Sequence, residues 1–137
     1  MPHDDHELRL TILRLARRIR LMQADESVTE GQRTALFQLH RHGPQTLGSL
    51  SALERVSPPS MNRTVGALVD AGLVTRVTDS DDARRVTIAL SVDGDAFVAE
   101  TRRRRDEWFT RRLHTLAADE RQLLLDATPI LARLADE

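Results

Sequence analysis

The chain has no cysteine, no lysine and no tyrosine, and its aromatic side chains amount to three Phe and one Trp. Without cysteine there is no disulfide, no thiolate metal ligand, no cysteine nucleophile and no thiol-based redox switch. So few rings cannot build a large aromatic cofactor cradle. No apolar run approaches the roughly 18–20 residues that span a bilayer, so no membrane partner is expected. The first residues, Met1-Pro2-His3-Asp4-Asp5-His6-Glu7, are polar and acidic, the opposite of a signal peptide, and read as the start of a soluble, cytoplasmic protein. Also missing are a glycine-rich phosphate loop, a Ser/His/Asp order and metal-ligand spacing. The sequence therefore offers no enzymatic centre and calls for no cofactor and no metal.

What is present is 137 residues, enough for one domain or one compact unit with appended helices. Hydrophobic residues make up 40%, sufficient for a helical core. All 20 cations are Arg, set against 21 acids, for a net charge of −1. Their distribution says more than the total. Residues 8–24 hold Arg9, Arg14, Arg17, Arg18 and Arg20 with no acid, and residues 100–112 hold six Arg against Glu100, Asp106 and Glu107. Such asymmetry suits an anionic partner, and equally a solvated arginine face.

Asp4 and Glu7 have capping-box spacing, and Leu8, Ile12, Leu15, Ile19 and Met22 then recur at intervals of four and three. That apolar stripe needs a partner. Thr29 and Gln32 repeat the start signal for a second helix that buries Ala35, Leu36 and Leu39 and stops at Gly43-Pro44. A short third helix, capped by Thr46, runs from Leu47 to about Arg55 and is expected to bury Leu47, Leu50 and Leu53. Ser57-Pro58-Pro59 then sets a capping hydroxyl before prolines in a first turn. Met61, Val65, Leu68 and Val69 face inward, and Gly72 ends this fourth helix. Two short helices thus meet across a tight turn.

The period then changes. Leu73–Thr78 and Arg85–Leu90 read as two strands joined by the polar turn Asp79–Arg84. A lone hairpin is marginal in water, so it must lean on the helices. A long helix follows from Ser91 to about His114, and a last one from about Ala118 to Leu134, with Pro129 inside it to bend it or remove a hydrogen bond. The fold class expected is mainly α with a two-stranded β-wing: a winged helix-turn-helix flanked by N- and C-terminal helices.

In this order and spacing, four segments resemble the MarR family of winged helix-turn-helix transcriptional regulators. Val56–Arg63 and Leu68–Arg76 match the family's recognition helix and first wing strand. Asp79-x-x-Asp82-x-Arg84 and Val86-x-Ile88-x-Leu90-Ser91-x-x-Gly94 match its wing. The resemblance spans almost the whole chain. It implies a single unit over residues 1–137, with about 4–24 and 92–137 forming dimerisation helices and about 29–90 the DNA-binding lobe. It also implies a homodimer straddling double-stranded DNA at a pseudo-palindromic operator, acting as a repressor.

A recognition helix lies in the major groove with its N-terminal residues against base edges, here Pro59, Ser60, Asn62 and Arg63. Arg63 suits guanine and Asn62 adenine. Ser57 and the helix N-terminus can hold a phosphate, although the prolines remove two donors. Arg84 is assigned to the minor groove, with Asp79 or Asp82 holding it in place by resemblance, and Arg76 and Arg85 to the DNA backbone. Members of this family commonly lose DNA affinity when a small, often aromatic or phenolic anion binds between the dimerisation helices and the winged lobe; mapped here, Arg17, Phe37, His40, Trp108 and Phe109 would line that pocket.

Plainer roles exist for each of these. The aromatics also serve as core, His40-x-His42 as a dipole-favoured pair at a helix end, and the three wing aspartates as a solvated turn. The Arg102–Arg105 run reads as solvated, as salt-bridged across a dimer, or as a contact with flanking DNA. Residues 46–90 carry five Arg and five acids, so attraction to DNA depends on where the arginines point. The same neutrality leaves open a winged-helix protein–protein interaction module without DNA binding.

Overall fold

The computed structural model describes residues 2–82 and 84–136. Its elements run α1 (Pro2–Arg20), α2 (Glu30–His42), β1 (Gln45–Thr46), α3 (Leu47–Glu54), α4 (Pro58–Asp70), β2 (Val74–Thr78), β3 (Val86–Leu90), α5 (Val92–His114) and α6 (Ala118–Asp136). They gather into two compact units, residues 23–102 and residues 1–22 with 103–137.

Each boundary in the first unit has a local cause. Thr29 accepts a hydrogen bond from the Gln32 amide while the Gln32 side chain accepts from the Thr29 amide, closing the expected capping box on α2. Gly43, at φ 77°, ends that helix, its N–H donating to the Leu39 carbonyl. Thr46 caps α3 by accepting from the Ser49 amide. Around these turns α2, α3, α4, the sheet and the start of α5 enclose Leu36, Leu39, Leu50, Met61, Val65, Leu68, Val74, Ile88, Phe97 and Val98.

Three polar side chains are also buried there: Arg33, Ser51 and Thr101. Each has a hydrogen-bond partner, as burial requires. Arg33 donates to the Gln23 amide oxygen, Ser51 to the Leu47 carbonyl, and Thr101 accepts from the Ala24 N–H. Glu54 is less well served. Its Oε1 is buried and has no hydrogen-bond partner among the described residues, and burial holds its carboxyl above the ordinary value of 4.5 while the Gln38 side chain pulls the other way.

The expected two-stranded wing is present, and a short third strand adds to it. β3 pairs with β2 from Val74↔Leu90 to Thr78↔Val86, and on its other edge with β1 through Gln45↔Ile88 and Thr46↔Thr87. The sheet therefore has three strands, order β1-β3-β2. Thr46 both pairs with the wing and caps α3, so the wing is tied to the helix-turn-helix by backbone. Leu53, expected inside, is 38% exposed; in α3 it is Leu50 that is fully buried.

The second unit is helical. α1 starts at Pro2, so Asp4 and Asp5 fall within its first turn rather than capping it, where they favour the helix dipole; Arg17, Arg18 and Arg20 do the same at the other end. The helix closes before Met22, the last residue of the expected stripe. Arg105 explains that end: its guanidinium donates to the carbonyls of Met22 (3.1 Å) and Arg20 (3.3 Å), which an α-helix C-terminus leaves unpaired. α6 continues through Pro129 to Asp136 and buries no residue. No described helix is long and apolar enough to cross a membrane.

Candidate nucleic-acid interface

The turn between α3 and α4 is made by Arg55, which takes the left-handed conformation at φ 55°, ψ 42°. Its N–H donates back to the Ala52 carbonyl and that of Val56 to Ser51, ending α3 within one residue. Ser57 then opens α4, its hydroxyl accepting from the Ser60 amide at 3.3 Å. With Pro58 and Pro59 at the first two helical positions and the Ser60 N–H taken by Ser57, the first turn has no spare amide for a phosphate. The Ser57 hydroxyl hydrogen can still be offered there, in keeping with the weak phosphate contact the two prolines imply.

Met61, Val65 and Leu68 anchor α4 in the core, which fixes its rotation. Pro59, Asn62 and Arg63 are exposed as a result, and Ser60 is half-buried. Ala67 and Asp70 continue the outward face toward the C-terminus.

In the wing, the loop is closed by Asp79 N–H to the Arg85 carbonyl (2.8 Å) and Arg85 N–H to the Asp82 carbonyl (3.0 Å). The two aspartates considered as supports have different partners. Asp79 accepts from the Asp81 amide, which shapes the turn. Asp82 accepts from the Arg84 amide and lies 3.5 Å from Arg84 Nε, with the two side chains 52% and 95% exposed. An ion pair that exposed adds little stability, so its consequence is where the guanidinium points. Ala83, between them, lies outside the described residues. Arg76 is exposed on β2 opposite Ile88, and Arg85 is exposed just before β3. Arg84 and Arg85 border an open cleft of about 480 Å³ that reaches Thr46, Leu47 and Gly48 at the start of α3.

The residues assigned to an effector pocket divide between the units. In the first, Phe37 and His40 line an open cavity of about 530 Å³ together with Thr34, Gln38, Arg41 and Arg102. Arg102 donates to His40 Nε2 at 3.0 Å, which makes that nitrogen the acceptor of the ring. In the second, Trp108 and Phe109 are half-buried and Arg17 is exposed. Trp108 is faced by Arg18 and Arg112, their guanidinium carbons 5.8 and 5.1 Å from the ring centroid.

The sequence reading missed Arg18, Arg102 and Arg112. The i,i+4 spacing of Trp108 and Arg112 was a usable signal; the pairing of Arg102 with His40, 62 positions away, was not. Nor is the run from Arg102 to Arg105 simply solvated. Arg103 pairs with Glu107 at 2.9 Å, and Glu107 also takes Arg111, whose hydrogen bond and charge lead in holding its carboxyl below the usual range. Among the described residues, no group of three His, Asp or Glu is placed to hold a metal ion.

The MarR family model matches residues 28–86, the helix-turn-helix and most of the wing. An uncharacterized HTH-type transcriptional regulator of Mycobacterium leprae is 39% identical over 131 residues, which cover 96% of this chain and 92% of that protein. The crystal structure of a putative transcriptional regulator from Pseudomonas aeruginosa superposes with a TM-score of 0.84 at 30% identity, covering 98% of this chain and 94% of that one. A point mutant of MepR from S. aureus, bound to an oligodeoxyribonucleotide, shares the fold at a TM-score of 0.74 and 20% identity, over 95% and 96% of the two chains.

Proposed function

The chain belongs to the MarR family of DNA-binding transcriptional regulators, and from that premise we propose that it is a cytoplasmic, homodimeric repressor that small aromatic anions release from a pseudo-palindromic operator. In this reading about 29–90 form the DNA-binding lobe, and about 4–24 and 92–137 the dimerisation helices. The observation that carries it is the pairing of an anchored α4, with Asn62 and Arg63 exposed, and a wing whose Arg84 extends into solvent beside Asp82.

Asn62 and Arg63 read base edges from the major groove, while Pro59 and Ser60 shape the helix start against them. Ser57 offers its hydroxyl to a phosphate. Arg84 enters the minor groove, aimed by Asp82 with Asp79 closing the turn behind it. Arg76 and Arg85 contact the DNA backbone.

Exposed apolar surface supports dimerisation. Leu123 and Leu134 on α6 are 70% and 68% exposed, and Leu8, Ile12 and Leu13 on α1 border an apolar cleft with Leu134. A monomer rarely leaves so much leucine in water. The Arg84→Ala variant is expected to be a dimer by light scattering at micromolar concentration and to bind operator DNA at least about tenfold more weakly than the parent. A monomeric mass for the parent protein would remove the dimer, and an unchanged affinity would remove the wing contact.

The release mechanism is linkage: a ligand preferring a dimer geometry unsuited to DNA draws the population away from the bound form. Phe37, His40 and Arg102 offer rings and a guanidinium to such an anion in the lobe, and Arg17, Trp108 and Phe109 offer the same chemistries in the helical unit. Salicylate and related phenolic acids are expected to raise the Tm and lower DNA affinity together. A panel that moves neither would discard the effector.

A further inference from the structure

α4 carries a glycine in its interior. Gly66 lies one turn beyond Asn62 and Arg63, in a position where glycine is less favourable than any residue but proline, because it has the most backbone freedom to lose on folding. Interior glycines are usually explained by a neighbour that comes too close for a side chain. Gly94 is such a case: a Cβ there would stand 2.0 Å from the Leu73 carbonyl oxygen.

Gly66 has no such neighbour. Apart from its own helix backbone and chain neighbours, a Cβ built on it meets nothing among the described residues within 4 Å; the same holds at Gly31 and Gly48, but those sit at the second residue of α2 and α3, and the φ of Gly66 is not in the left-handed region. Neither internal packing nor backbone conformation asks for glycine at this position. The space beside it is open, next to the exposed Asn62, Arg63 and Ala67.

We propose that Gly66 marks the closest approach of the recognition helix to DNA, and that the group received there is the C5-methyl of a thymine. This rests on the reading of α4 as the helix that enters the major groove. At Gly66 and Ala67 no side chain offers a donor or acceptor, and backbone groups within a helix are already committed to helix hydrogen bonds. Of the groups that base pairs present in the major groove, the thymine methyl is the apolar one, so it is the edge this surface complements. Asp70, one turn further on, limits the footprint, since its carboxylate is repelled by the phosphates. Arg63 and Gly66 then read neighbouring positions, the first by hydrogen bonds and the second by shape.

The test uses the full-length protein and a duplex enriched by it from a random-sequence pool, with a scrambled duplex as control. Gly66→Ala is expected to raise the Tm by about 2–5 °C, since alanine is the better helix former. The same variant is expected to bind the enriched duplex about tenfold more weakly, while binding to the scrambled duplex changes less than about twofold. Replacing thymines by uracil one at a time gives the second readout. At one position in each half-site, loss of the methyl weakens binding by the parent protein and restores binding by Gly66→Ala.

Parental affinity in Gly66→Ala, with Arg63→Ala still impaired, would overturn the inference and leave the DNA reading standing. Equal weakening of Gly66→Ala on thymine and uracil duplexes would overturn the methyl contact. Unchanged binding in both variants, or failure to enrich any sequence, would overturn the DNA reading and this inference with it.

Discussion

Replacing Gly94 by alanine will lower the Tm of this protein by roughly 10 °C or prevent it from folding. The added Cβ would lie 2.0 Å from the Leu73 carbonyl oxygen, 3.1 Å from the Leu73 carbonyl carbon and 3.2 Å from Leu90 Cδ2. The nearest of these is backbone, which cannot rotate aside. It is also already committed: the Leu73 carbonyl accepts from the Ser91 N–H, and Ser91 Oγ accepts from the Gly94 N–H while donating to the Gly72 carbonyl. Relieving the clash means lifting the start of α5 from the entry to β2, which breaks the junction between wing and helix and opens the core around Phe97 and Val98. Overpacking against backbone belongs with the larger single-substitution costs, about 3 kcal/mol here. A thermal melt within about 2 °C of the parent would show that the junction has slack the structure does not contain.

Arg63→Ala will abolish most sequence discrimination without unfolding anything. Arg63 is exposed, and among the described residues it makes no ion pair whose loss would loosen α4. A bidentate guanidinium–guanine contact is worth about 1–3 kcal/mol and is made twice by the proposed two-fold dimer, so affinity for the operator should fall between roughly thirtyfold and twenty-thousandfold. The preference for guanine at one position in each half-site should fall with it, while the Tm stays within about 1 °C. A loss smaller than about threefold, with guanine still preferred, would place base reading elsewhere on the lobe.

Local chemistry records some of this fold in the sequence and leaves the rest out. The capping box at Thr29 and Gln32, the stop at Gly43-Pro44 and the Ser57-Pro58-Pro59 start each act within a few residues, so the sequence alone places them and the structure agrees. The fourth helix was legible down to its inward face, and therefore its outward one. Interactions that close over long distances were not. β1 is two residues long and has no periodicity to detect; it exists because β3 pairs with Gln45 and Thr46. Arg105 looked like one more member of a charged run, yet it caps α1 across more than eighty residues.

The same limit applies to the candidate site. Asp79 and Asp82 were equivalent supports in the sequence, and only the turn geometry sets Asp82 beside Arg84. Leu53 was expected inside because it continues the apolar spacing of Leu47 and Leu50, but an eight-residue helix presents little more than one buried position to the core. Gly66 carried no signal in the sequence, since a glycine in a helix is informative only once the space around it is known.

In the proposed function a lobe with nearly balanced charge binds DNA through a few well-aimed arginines. The most direct test is fluorescence anisotropy of the protein with its enriched duplex and a scrambled one across a salt series. The expected result is a preference for the enriched duplex of about a thousandfold, with log affinity falling linearly against log salt as phosphate-bound counterions are released. Equally weak binding to both duplexes, with little dependence on salt, would contradict it.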